Sequence, residues 1–157
     1  MNNTLKLIIA ILIPLAVGGF SGYITAGGVE GWYATVQKPS FNPPNDLFAP
    51  VWTSLYILMG IGLFIVWKQP AGTPYRNTAI AIFIVQLVLN FFWSIIFFKL
   101  EKPDVAFADI VLMWIAILLM IIYFIKVKPV AGYIQIPYLC WVSFASVLNF
   151  YIWQLNK

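Results

Sequence analysis

NTAIAIFIVQLVLNFFWSIIFF, residues 77–98, contains no charged residue. Crossing ~30 Å of hydrocarbon takes about 20 residues of helix, so this run is long enough to span a bilayer. No strand-period alternation runs through it, which argues against a membrane β-barrel. The pattern recurs on either side. Residues 7–29, 47–67 and 130–156 are also free of charge, and 110–125 makes a further run that extends toward Pro103 if Asp109 is tolerated. The expectation is an all-α integral membrane protein, a single domain over 1–157 built as a bundle of five transmembrane helices. The spans are placed near 6–27, 47–67, 77–98, 104–125 and 130–155, with a lid-like loop at 28–46.

Composition points the same way. The 157 residues are 62% hydrophobic and 9% charged, against roughly 45–50% and about 25% in soluble domains. So few charges cannot cover so much apolar surface in water. The net charge of +4 comes from scattered Lys and Arg between apolar runs. That pattern fits cationic anchors at membrane–water interfaces and does not suggest nucleic-acid binding. Cys140 is the single cysteine and there is no His, which excludes an intramolecular disulfide, zinc or haem held by imidazole, and any His-based triad. No metal and no resident cofactor is expected. A retinal Schiff base would need a buried Lys, and no span holds one. The first apolar run exceeds the roughly 7–15 residues of a signal-peptide core and lacks an Ala-x-Ala site, so it reads as a true span.

The connections are short apart from the first, whose prolines Pro39, Pro43 and Pro44 stiffen it and whose Trp32, Tyr33 and Phe41 give it an apolar side. A long, aromatic, proline-braced loop fits a lid better than a tether. Lys6, Lys68, Arg76, Lys126 and Lys128 fall on one side of the membrane, and Lys38, Lys99, Lys102 and Lys157 on the other. The positive-inside rule then places the N-terminus in the cytoplasm by a small margin.

Polar residues inside spans are costly and mark sites worth questioning. Gln86, Asn90 and Ser94 recur every four residues on one helix face, with Trp93 beside them. Trp52 and Tyr56 share a face of the second span. Tyr138, Trp141, Ala145, Leu148 and Asn149 form a stripe in the fifth. Counting along the helices puts Trp52 and Asn90 roughly 8–12 Å below the interface nearest the long loop, and Trp141 roughly 22 Å along its helix. Together these groups can line one cavity open toward the loop and floored near Trp141. Helix packing explains the same stripes, since Asn and Gln often bond between transmembrane helices. Spacing alone does not separate the two. Gly18 and Gly22 form a GxxxG that permits a close helix contact, within one chain or between two. Asp109 reads as a hydrogen-bonded structural group.

Five blocks extend this reading: WYATVQKPSFNPPN (32–45), FAPVWTSLYILMG (48–60), QLVLNFFWSIIFF (86–98), AFAD (106–109) and PYLCWVSFASVLNFYIW (137–153). In order and spacing they resemble the translocator protein family, also called tryptophan-rich sensory proteins (TspO/MBR, the peripheral-type benzodiazepine receptors). The resemblance implies a homodimer of five-helix bundles that binds porphyrins such as protoporphyrin IX, with sterols and benzodiazepine-type ligands as further candidates, beneath the first loop. The positions matching the family pocket are Tyr33, Pro43, Trp52, Tyr56, Asn90, Trp93, Trp141, Ala145 and Leu148. Bacterial relatives are associated with light-dependent porphyrin breakdown, which would make Trp52 and Trp141 the catalytic pair. A weak sterol motif is met by Leu148, Tyr151 and Lys157. Val105 replaces a tryptophan carried by animal members, and their basic C-terminal tail is missing, which favours a bacterial membrane. A receptor or sensor is the leading expectation, with photo-oxidative degradation and porphyrin or sterol transport as alternatives.

Overall fold

Five helices long and apolar enough to cross a membrane make up the computed structural model, which describes residues 1–157 and contains no strand. The chain is therefore a multi-pass α-helical membrane protein. Helix α1 (Asn3–Glu30) begins where the Asn2 side chain accepts a hydrogen bond from the Leu5 amide at 2.8 Å, satisfying one of the free amides of the first turn. A single turn, α2 (Trp32–Thr35), follows within the first loop. Helix α3 is Asn45–Trp67, and α4 (Arg76–Ser94) continues into a π-helical end, Ile95–Lys99. Pro103 opens α5 (Pro103–Val127), at a position where the missing amide costs nothing.

The fifth span differs from the single helix expected. It is broken into α6 (Pro129–Tyr133) and α7 (Ile136–Leu155). Pro137 cannot supply the amide that the Tyr133 carbonyl would accept, and its ring crowds that turn. Gln135 fills the break, fully buried, with its amide nitrogen donating to the Leu58 carbonyl at 2.8 Å.

The first loop also differs. Helix α1 runs past Gly27 to Glu30, and α2 takes up the next residues, so the irregular part is shorter than 28–46. The extension is possible because Gly28 lets the Phe98 carbonyl approach closely. A Cβ there would sit 1.9 Å from that oxygen.

Helix α5 packs between α4 and α7, while α1 packs along α3. The tightest α1–α3 contact is at Gly60, where an added Cβ would lie 2.5 Å from the Ile11 Cα and 2.7 Å from the Ala10 carbonyl oxygen. Pro14 leaves that same carbonyl without its usual helical donor. Gly60→Ala is therefore expected to destabilise the protein by about 1–3 kcal/mol, because two backbones must separate to admit one methyl. Thermal unfolding in detergent should show a lowered midpoint, and an unchanged one would contradict this packing.

Candidate functional site

The aromatic residues of α3, α4 and α7 meet in the upper half of the bundle. Trp52 is at the centre, its ring 5.7 Å from Tyr56, 6.4 Å from Trp93 and 6.3 Å from Tyr138. A chain of hydrogen bonds behind these rings holds them in place. Tyr56 donates to the Asn90 Oδ1 at 2.8 Å, the Asn90 Nδ2 donates to the Tyr138 oxygen at 2.9 Å, and Tyr138 donates to the Gln86 Oε1 at 2.7 Å. Trp93 is tied separately, its Nε1 donating to the Asn149 Oδ1 at 2.9 Å, while the Asn149 Nδ2 donates to the Pro103 carbonyl at 2.7 Å. In hydrocarbon an unpaired amide or hydroxyl costs several kcal/mol. These pairings therefore tie α3, α4, α5 and α7 into one arrangement.

A cavity of about 380 Å³ opens beside this cluster, between α1, α3 and the end of α4, within the roughly 300–1,000 Å³ of small-molecule sites. One wall is aromatic, made by Phe48, Trp52, Tyr56, Trp93 and Phe98. The facing wall is α1, which contributes Gly18, Gly19, Ser21, Gly22 and Thr25 in its middle, with Leu15 and Val29 at its two ends. The hydroxyls of Ser21 and Thr25 donate back to α1 carbonyls, which leaves this wall small and smooth. At the inner end the Tyr56 ring closes against Gly18, where a Cβ would fall 2.2 Å from the ring.

Tyr33 closes the loop end. It is buried, with its ring 5.3 Å from Phe98 and 6.1 Å from Phe97. The π-helical winding of Ile95–Lys99 turns these successive phenylalanines toward the same neighbour. Tyr33 donates to the Asn42 Oδ1 at 3.0 Å, which fastens the two halves of the loop together. Burial pushes the Tyr33 hydroxyl above its ordinary pKa, only partly offset by that hydrogen bond, so the phenol stays neutral and remains a donor. The Lys38 ammonium rests on the Tyr33 ring, 4.5 Å from its centroid. Just past α2 the loop is clamped to the end of α7: Asn156 accepts from the Gln37 amide and donates to the Gln37 carbonyl, both at 2.9 Å.

The expected residues divide into groups. Tyr33, Trp52, Tyr56 and Trp93 line this cavity, whereas Asn90 lies behind its wall as a support. Trp141 sits beyond Phe48, 6.0 Å from its ring, with a buried Nε1 that has no hydrogen-bond partner. Ala145 and Leu148 are buried, and Pro43 is half-buried in the loop; none of the three lines the cavity. The cavity therefore lies on the α1 side of Trp52, away from the Trp141 side expected from residue counting. Leu148, Tyr151 and Lys157 face different surroundings. Leu148 points inward, Tyr151 borders a groove of about 560 Å³ between α5 and α7, and Lys157 lies 5.0 Å from the Trp153 ring. Asp109, expected to be hydrogen-bonded, buries an Oδ2 without a partner.

Sequence reasoning missed the α1 wall. Gly18, Ser21, Gly22 and Thr25 recur at helical spacing, and that stripe of small residues was the available signal. Within this chain only one glycine of its GxxxG makes a close contact. Gly18 admits Tyr56, and Gly22 meets no atom within 4 Å of an added Cβ.

Residues 10–154 match the sequence profile of the TspO/MBR family. The chain belongs to that family. It is 47% identical to the tryptophan-rich protein TspO of Archaeoglobus fulgidus over 98% of this chain and 99% of that one. The TspO protein of Chlorobaculum tepidum is 44% identical, covering 99% of this chain and 98% of its own. The translocator protein of Ovis aries is 36% identical over 93% and 87% respectively. Membership extends over nearly the whole bundle, so the cavity and its lid belong to the part shared with these TspO/MBR relatives.

Proposed function

We propose that this TspO/MBR protein is a membrane receptor or sensor that binds a flat, hydrophobic tetrapyrrole, protoporphyrin IX in the first instance, against Trp52 and Trp93. The observation that carries the reading is the cavity itself: two indoles and a phenol on one wall, a smooth glycine-rich helix opposite, and a tyrosine closing the loop end. Such a slot suits a planar aromatic ligand, because ring faces stack while the middle of the opposite wall presents only glycines and the short Ser21 and Thr25 side chains. The name of the Cereibacter sphaeroides relative, tryptophan-rich sensory protein, 34% identical over 81% of this chain, agrees with a sensing role. Sterols and benzodiazepine-type ligands are further candidates for the same apolar volume. The proposal places a homodimer in a prokaryotic membrane with its N-terminus in the cytoplasm.

A second reading, light-dependent breakdown of the bound porphyrin, is favoured by the position of Trp52. Its indole is oxidisable, faces the ligand volume and has Tyr56, Trp93 and Tyr138 as close neighbours. Transport has less support, since the cavity ends at the Tyr56–Gly18 contact and the hydrogen-bonded network of Asn90, Tyr138 and Gln86 occupies the core nearby.

Titrating protoporphyrin IX into purified protein and following tryptophan quenching tests the first reading, and saturable quenching is expected. Illuminating the complex tests the second, by a protein-dependent absorbance change. Absence of saturable binding would remove the tetrapyrrole assignment.

The ligand's propionates call for a cation, and Lys38 is the basic residue at the loop end of the cavity. Lys38→Gln is expected to weaken binding about three- to fivefold, in line with a partly solvated charge pair of ~1 kcal/mol. The difference should shrink as salt is raised. Equal affinities at low salt would contradict this pairing.

A further inference from the structure

The lid and the mouth of the cavity are in different places. Five residues lining the cavity are exposed, and all five belong to two helices: Gly19 and Gly22 of α1, and Asn45, Ala49 and Thr53 of α3. The lining residues contributed by the loop and by α4 are buried or half-buried, namely Tyr33, Trp93, Ser94 and Phe98. The loop end is shut by the Tyr33 ring and clamped by the paired Gln37–Asn156 hydrogen bonds.

Backbone contacts hold helix α1 at two heights, and between them the Tyr56 ring meets it at Gly18. Gly28 abuts the Phe98 carbonyl at one end, and Gly60 abuts Ile11 and Ala10 toward the other. Gly19 and Gly22 lie between these contacts and meet no atom within 4 Å of an added Cβ. Gly22 precedes the α1 terminus at Glu30 by about 12 Å of helix, which places it within the hydrocarbon. The residues opposite, Ala49 and Thr53, are also small.

The geometry points to a lateral portal between α1 and α3, through which the ligand passes directly between the lipid and the cavity without opening the loop. This rests on the binding reading above and adds where the ligand comes from: a hydrophobic macrocycle dissolved in the bilayer. The small residues at the rim leave a slot that a flat molecule passes edge-on. The loop then acts as a fixed roof.

The test uses full-length protein in phosphatidylcholine vesicles preloaded with protoporphyrin IX, read by stopped-flow tryptophan quenching. Gly19→Leu and Ala49→Leu narrow the rim, and both association and dissociation are expected to slow by about tenfold together, as for a gate rather than a lost contact. Asn156→Ala, which releases the loop clamp, is expected to leave both rates unchanged. Rates indifferent to the rim variants but raised by Asn156→Ala would overturn the portal.

Failure of the unsubstituted protein to bind protoporphyrin IX would instead remove the binding reading. The portal then stands or falls on a ligand-free measurement. A cysteine at cavity-lining Thr25, in a Cys140→Ser background, is expected to react with a long-chain maleimide dissolved in the bilayer, and the rim variants should suppress that reaction. Reaction only with an impermeant sulfonated maleimide would show access through the loop and overturn the proposal.

Discussion

Trp52→Ala is expected to weaken protoporphyrin IX binding by about 30- to 100-fold, or roughly 2–3 kcal/mol, the scale of a buried aromatic anchor. Trp52 is the only residue whose ring lies within 6.4 Å of Tyr56, Trp93 and Tyr138 together. Removing it takes away stacking area and the support for two neighbouring rings. Trp52→Phe provides the finer comparison. It retains most of the apolar area, so binding should fall only modestly, while any light-driven chemistry that depends on the indole should disappear. Trp141→Phe should change affinity less than Trp52→Ala, because Trp141 contacts Phe48 from outside the cavity lining. Fluorescence titration of the three variants measures the affinities, and absorbance under illumination measures the photochemistry. Equal affinity for Trp52→Ala and unsubstituted protein would contradict the aromatic-wall assignment.

Asn90→Leu is expected to lower stability by about 1–3 kcal/mol and to reduce ligand affinity with it. Asn90 accepts from Tyr56 and donates to Tyr138, so leucine leaves the Tyr56 hydroxyl without an acceptor inside the bundle. Single hydrogen bonds between transmembrane helices average only ~0.6 kcal/mol, with a maximum of about 1.7. The larger figure here comes from losing two bonds at once and leaving a buried donor unpaired. A lowered unfolding midpoint in detergent, together with weaker porphyrin binding, would show that the network supports the ring wall. An unchanged midpoint would mean that the tyrosines are held by packing alone.

Four of the spans were legible as charge-free runs of bilayer length, and the remaining one, fourth in the chain, as the run 110–125 extended past Asp109, since lipid admits helix as the simplest way to satisfy the backbone. Their ends were less so. Helix α1 runs to Glu30 because Gly28 permits contact with Phe98, a tertiary fact that hydropathy does not carry. The break before α7 was hinted at by Pro137, but its place depends on the turn that loses a donor. Among the candidate site residues, Trp52, Tyr56 and Trp93 were legible as aromatic stripes. The opposite wall was not, since the periodic small residues Gly18, Ser21, Gly22 and Thr25 read equally well as helix packing. Depth counting put Trp52 and Trp141 at plausible heights, yet it carries no information about which side of Trp52 is hollow.

The most direct test of the central claim is a structure of the protein with protoporphyrin IX bound. The macrocycle is expected between Trp52 and Trp93 on one side and the Gly18–Gly22–Thr25 face of α1 on the other, beneath Tyr33. Finding it instead in the apolar groove bordered by Ile13, Trp67 and Phe83, or in the groove between α5 and α7, would contradict the assignment.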